Sequence, residues 1–223
     1  WDALIEAQEN GALSETDINT AVSRILKLIL ESPKMQGIGF GNNPDLEAHA
    51  AITRQSAVEG MVLLKNEGVL PLQESQTLAL IGVTSYDFIA GGTGSGDVNE
   101  AYTVSLEEGL QNADYPSASL SAVGEPLMKK VVFEIAKTPK EAFEAHKAAN
   151  AEAFVKPEGF NAMLQPYSPP EFLLSAEELQ KSATEADVAV ITIGRNSGEG
   201  GDRVATDDFL LSNTEQEMIT ATC

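Results

Sequence analysis

The residues best suited to chemistry lie in one short run, Ser197-Gly198-Glu199-Gly200-Gly201-Asp202-Arg203, which follows the apolar stretch from Val188 to Ile193. Glu199 stands there among neighbours with little or no side chain, and Arg203 supplies a fixed cation on the same loop. Small neighbours let a bulky ligand approach a carboxylate closely. A strand end followed by a glycine-rich loop is also where open α/β folds present their chemistry. One carboxylate does not run most reactions by itself. On residue chemistry alone, Glu199 stands between a solvated loop carboxylate and a working acid. Asp202 and Arg203 read as an ion pair or hydrogen-bond anchors for the loop rather than as reacting groups.

A second glycine cluster runs Gly91-Gly92-Thr93-Gly94-Ser95-Gly96-Asp97-Val98-Asn99. It fits a phosphate-binding loop poorly. The dinucleotide pattern needs its glycines directly after a strand and at the opening of a helix. Here the cluster begins well after the apolar run that ends at Val83, and Asp97 occupies the place of the third glycine. The preferred reading is a loop, centred on Gly94, Ser95 and Gly96, whose backbone packs against a sugar or another domain. His49 and His146 lack metal-ligand spacing, and each is expected as an exposed helix residue. Lys65 and Asn66 read as caps or site-lining groups, with capping the safer reading. No metal and no cofactor are expected.

Bulk composition narrows the partners. The chain has 223 residues, 43% of them hydrophobic, enough for a sizeable core in one or two domains. Its 34 acidic against 14 basic residues leave a net charge of −20. That charge repels a phosphate backbone and an anionic membrane surface, so neither nucleic acid nor membrane is expected as a partner. The single cysteine, Cys223, excludes an intrachain disulfide and a cysteine-type zinc site. It does not decide the compartment; a periplasmic or secreted location is the expectation retained over a cytoplasmic one. No apolar run approaches the ~20 residues of a membrane helix, and the first residues, Trp1 to Glu6, lack the basic start and apolar core of a signal peptide.

The elements that must position these loops alternate. Ser14 caps a helix over about 15–31, with Ile18, Val22, Ile25 and Ile29 at helical spacing and Pro33 closing it. Residues 34–44 have linker composition, and a domain boundary is placed there. A second helix spans about 45–59. Strands are expected at 61–64, 77–83, 131–133 and 188–193. Capping patterns at Ser105, Thr138, Ser175 and Ser212 open four more helices. Strands alternating with capped helices indicate an α/β domain with a mostly parallel sheet. The last helix starts close to Cys223, so the chain is expected to be a fragment, or one piece of a nicked protein.

Read together, four segments resemble glycoside hydrolase family 3, the β-glucosidase type. They are Ala21-Val22-Ser23-Arg24-Ile25-Leu26-Lys27-Leu28; Glu59 to Gly68 with Leu70-Pro71-Leu72; Gly92 to Val98; and Ser197 to Arg203. The resemblance implies the last helical segment of a (β/α)8-type barrel over 1–33 and a linker over 34–44. It further implies a partial α/β/α sandwich over 45–223, incomplete at its C-terminus, with an insertion around 111–174. In this family an Asp of the barrel attacks the anomeric carbon, and a Glu of the second domain protonates the leaving oxygen and then activates water. Glu199 matches that Glu, while Ser197, Gly198, Gly200, Asp202, Arg203, Gly94, Ser95 and Gly96 are expected to bind substrate or support the loops. A general acid working near neutral pH needs a raised pKa, and retention needs two carboxylates ~5 Å apart. The barrel nucleophile lies outside this chain, so the chain alone is expected to be inactive. The expected partners are a β-linked oligosaccharide or aryl glycoside, the missing N-terminal barrel and the remaining C-terminal part of the parent. Two alternatives stay open: a non-catalytic sugar-binding or interface module and, more weakly, a nucleotide-binding α/β protein.

Overall fold

The computed structural model describes residues 1–223 except 98–99, 121–125, 160–164, 197–198 and 200–202; over 113–120 and 126–130 it describes the backbone only. The chain divides into two compact units, residues 1–66 and 67–223. The division falls after the second long helix, whereas the composition of the chain places a linker at 34–44.

The first unit is helical. Helix α1 spans Asp2–Glu9, α2 Glu15–Leu30 and α3 Leu46–Gly60. Ser14 starts α2 as expected: its hydroxyl accepts the Asp17 N–H at 3.1 Å, and the Asp17 side chain returns to the Ser14 N–H. Asp45 caps α3 by accepting the Ala48 N–H at 3.0 Å. None of the three helices has a buried residue. The apolar stripe of α2, with Val22, Ile25 and Ile29, is roughly half exposed. The expected strand at 61–64 does not form. Met61, Val62, Leu63 and Leu64 are exposed and belong to neither sheet. An apolar run becomes a strand only when a neighbouring strand takes its backbone hydrogen bonds.

The second unit is built on a three-stranded parallel sheet of order β4–β1–β5, where β1 is Thr77–Ile81, β4 Glu134–Ile135 and β5 Val188–Ile191. The strands expected at 77–83 and 188–193 form as β1 and β5, each ending two residues early, and pair from Leu78–Val188 to Ile81–Ile191. Alternation along β1 sends Leu78 and Leu80, both fully buried, onto Val131 and Phe133. Leu106 and Leu110 of α4 (Leu106–Gln111) close that layer. Helices α5 (Lys137–Ala149) and α6 (Ala176–Glu185) pack on each other and on β1. Helix α7 is Asn213–Thr222. This is the α/β layering expected of the domain, with an antiparallel hairpin, β2 (Ala113–Leu120) and β3 (Pro126–Val131), that the sequence does not announce. The expected strand at 131–133 is only the end of β3. The segment around 111–174, expected as an insertion, supplies β4, and its Phe143 and Phe172 form a second buried cluster with Val83.

Ser105, Ser175 and Ser212 close capping boxes with Glu108, Glu178 and Glu215. Thr138 does not cap α5. The helix starts two residues earlier than that cap implies, at Lys137, and the Thr138 N–H and hydroxyl both donate to Glu185 of α6, at 3.0 and 2.8 Å. His146 is not exposed as expected. It is half-buried against Phe154 and Phe172, and its Nε2 lies 3.0 Å from the Pro170 carbonyl.

Candidate active-site loop

The strand order creates a crevice. From β1 the chain moves to β4 on one side, then returns to lay β5 on the other side of β1. Loops leaving the carboxyl ends of β1 and β5 therefore diverge across a switch point, where open α/β sheets take their ligands. The strand ends are held tightly. The Thr192 N–H donates to the Ile81 carbonyl at 2.9 Å, and the Ser85 and Thr192 hydroxyls are 2.9 Å apart. Gly82 has φ 104°, and a Cβ there would lie 2.3 Å from the Thr192 carbonyl oxygen, so only glycine fits. A cavity of about 380 Å³ opens above this point, lined by Thr84, Glu171, Gly194, Arg195, Asn196 and Glu215 among others.

Beyond the strand ends the two glycine-rich loops meet. The Thr93 hydroxyl donates to the Glu199 carbonyl at 2.9 Å, and the Glu199 N–H donates to the Thr93 carbonyl at 3.4 Å. The Ser95 hydroxyl donates to Glu199 Oε1 at 2.7 Å, and the Ser95 N–H to Oε2 at 3.2 Å. Gly94 lies between these contacts with φ 62°. A Cβ on it would come within 2.3 Å of Glu199 Oε2 and 2.8 Å of Glu199 Cβ. Gly96 closes the turn, its N–H on the Thr93 carbonyl at 3.1 Å. The predicted residues Gly94, Ser95, Gly96 and Glu199 are thus brought together. Ser197, Gly198, Gly200 and Asp202 lie outside the described residues.

Glu199 is exposed and does not pair with Arg203. Arg203 forms a two-point ion pair with Asp208 instead, and Asp208 also accepts the Val204 N–H at 3.2 Å. Arg203 is the loop anchor the sequence suggests, although its partner is Asp208. The Ser95 hydroxyl and then its amide hold the Glu199 carboxyl below its ordinary range. A general acid calls for the opposite direction. The cause is plain: hydrogen bonds to the anion favour it, and nothing yet covers the exposed carboxyl. The glycine cluster at 91–97 forms only a single 3-10 turn, Gly94–Gly96, and the next α-helix among the described residues starts at Leu106. That removes the geometry a phosphate site requires.

Several polar residues of the crevice escape sequence reasoning. Arg195, just past β5, holds Glu215 through its two terminal guanidinium nitrogens, Nη1 and Nη2, and Nη1 also donates to the Gly194 carbonyl at 2.7 Å. Arg195 pulls the Glu215 carboxyl down. Glu171 accepts the Val83 N–H at 2.8 Å and the Phe172 N–H at 3.1 Å, yet burial pushes its carboxyl up. Asp87 accepts from Tyr167 at 3.0 Å and from Lys147 at 3.3 Å. The available signal is position: Arg195 follows a strand-end glycine, as Thr84 follows the turn after β1. Glu171 and Tyr167 lie in the segment read as an insertion and give no such signal.

Comparison with known proteins places this geometry. The model of the glycosyl hydrolase family 3 C-terminal domain matches residues 61–223. The chain is 34% identical over 197 residues to β-glucosidase A of Butyrivibrio fibrisolvens, covering 78% of this chain and 21% of that enzyme. It is 40% identical over 114 residues to the thermostable β-glucosidase B of Acetivibrio thermocellus, covering 49% of this chain and 14% of that enzyme. The solved structure of β-glucosidase 3B from Thermotoga neapolitana, in complex with α-D-glucose, superposes with a TM-score of 0.78 at 34% identity; the match covers 99% of this chain and 28% of that one. The chain therefore spans less than a third of each of these relatives. By the domain model and by the fold it shares with these enzymes, the chain belongs to glycosyl hydrolase family 3.

Proposed function

We propose that this chain supplies the general acid/base, Glu199, to a retaining, exo-acting β-glucosidase whose nucleophile and sugar-gripping residues belong to a barrel outside the chain. The observation that carries the reading is the placement of Glu199. It is presented at the switch point of the sheet on a loop rich in glycine, its carboxylate exposed and paired with no cation among the described residues. The names of the relatives support a β-glucoside as substrate. The uncovered apolar stripe of α2 supports an absent partner for the first unit, for which the rest of a barrel is the natural occupant.

In this reading the barrel carboxylate attacks the anomeric carbon. Protonated Glu199 gives its proton to the leaving oxygen as the glycosidic bond breaks. The resulting carboxylate then takes a proton from the water that attacks the glycosyl-enzyme, which restores the acid. A bound sugar excludes water from Glu199, which opposes the pull of Ser95 and raises the carboxyl pKa toward the working pH. In the full-length enzyme, Glu199→Ala lowers kcat/KM on cellobiose by about 10²–10⁴-fold. Azide restores turnover of an activated aryl glucoside, because such a leaving group needs no acid. Unchanged kinetics on both substrates remove Glu199 from the mechanism. The alternative of a non-catalytic sugar-binding module draws on the crevice above the strand ends. Calorimetric titration of this chain with glucose and cellobiose separates the two, since clear binding without a barrel favours the module.

A further inference from the structure

We infer that Ser95 is the positioning residue of Glu199: its hydroxyl reserves one carboxyl oxygen, so that the other carries the working proton. The inference rests on the reading of Glu199 as acid/base. It starts from an asymmetry in the two hydrogen bonds. The Ser95 hydroxyl approaches Oε1 at 2.7 Å, a charge-assisted length, whereas the amide approaches Oε2 at 3.2 Å. A proton placed on Oε2 displaces only the longer bond and leaves the shorter one in place. Oε2–H is then free to turn toward a leaving oxygen while Oε1 stays tethered. When the proton has left for that oxygen, the amide recaptures Oε2 and steadies the carboxylate that must next deprotonate water.

The tether is independent of the Glu199 backbone. Thr93, two residues before Ser95, grips the Glu199 N–H and carbonyl. Gly94 between them lets the loop pass within contact distance of the Glu199 side chain. One short segment thus fixes both the main chain and the carboxyl group of a residue far along the sequence. Among the described residues no charged group competes for this role. On the Glu199 loop, Arg203 is occupied by Asp208; on the facing loop, Asp97 is the nearest acid in sequence. Ser95 alone pulls the carboxyl down, partly opposed by burial.

The test uses Ser95→Ala, which keeps the amide and removes the hydroxyl, and Ser95→Thr, which restores a hydroxyl. Ser95 is exposed, so truncation leaves no cavity. In this chain, carbon-13 NMR of labelled glutamate carboxyls follows Glu199: its titration moves up in Ser95→Ala and returns toward the parent value in Ser95→Thr. In the full-length enzyme, Ser95→Ala lowers kcat/KM on cellobiose by about tenfold, the loss of one hydrogen bond to a charged group. The alkaline limb of its pH profile moves up, because an acid whose anion is less stabilised keeps its proton to higher pH. Ser95→Thr recovers both. An alanine variant whose Glu199 titration and alkaline limb stay where they were overturns the inference. If azide fails to rescue Glu199→Ala, the acid/base reading falls by itself, and the carboxyl titration still decides whether Ser95 governs Glu199.

Discussion

Single carboxylates in this domain differ in charge behaviour because their surroundings differ, and Glu171 and Glu215 show the two directions. Glu215 is pulled down by Arg195, so its contribution to stability is present above the ordinary carboxylate range and is lost as pH falls. Glu171 is pushed up by burial, so the folded chain holds its proton longer than the unfolded one and stability falls as pH rises through that window. Glu171→Gln removes the burial penalty of the anion while keeping an acceptor for the Val83 and Phe172 amides. The glutamine variant is therefore expected to gain stability relative to the parent between pH 4 and pH 7. Thermal unfolding of both proteins at the two pH values checks this, and a difference of the opposite sign refutes it. Glu199 is legible in the sequence because glycine neighbours and a preceding strand leave a local trace. Its hold on Ser95 is not legible: two loops distant in sequence meet only through the parallel pairing of β1 and β5.

At the level of elements, local rules work where the partner is local. Ser14, Ser105, Ser175 and Ser212 cap helices through residues three positions on, and each is recognisable from its own tetrapeptide. Thr138 carries the same pattern and fails, because Glu185 of α6 reaches its amide and hydroxyl first. Glu185→Ala is expected to destabilise the domain, since it strips the acceptor that α6 offers to the first turn of α5. The loss shrinks in acid, because the Thr138 hydrogen bonds hold the Glu185 carboxyl low and protonation removes that advantage. Urea titrations of parent and variant at pH 3 and pH 7 measure both terms; an equal loss at the two pH values discards the cross-helix cap. The strands divide in the same way. Residues 77–81 and 188–191 are readable as short apolar runs, whereas 61–64 are equally apolar and belong to neither sheet. The β2–β3 hairpin is polar, carries a proline in β2 and resembles no strand pattern.

On the scale of the whole chain, a large apolar surface and a strong negative charge oppose each other. Many aliphatic side chains of α1–α3 and the 61–64 segment are exposed, and such surface favours association. The net charge of −20 resists it by mutual repulsion. The 223-residue chain by itself is expected to associate as salt rises from about 0.01 M to 1 M, over which the screening length drops roughly tenfold. Light scattering against ionic strength reads this directly, and a monomer at every salt concentration contradicts it. A further consequence concerns the two loops above the sheet. They are joined at the Ile81–Thr192 step and again where Thr93 meets Glu199, so backbone and hydrogen bonds close a ring with two arms. Lengthening either arm alone would slide one rim past the other and unseat the serine from its carboxylate. Variants that change both arms together, or that extend the chain outside the ring, would leave the pairing in step.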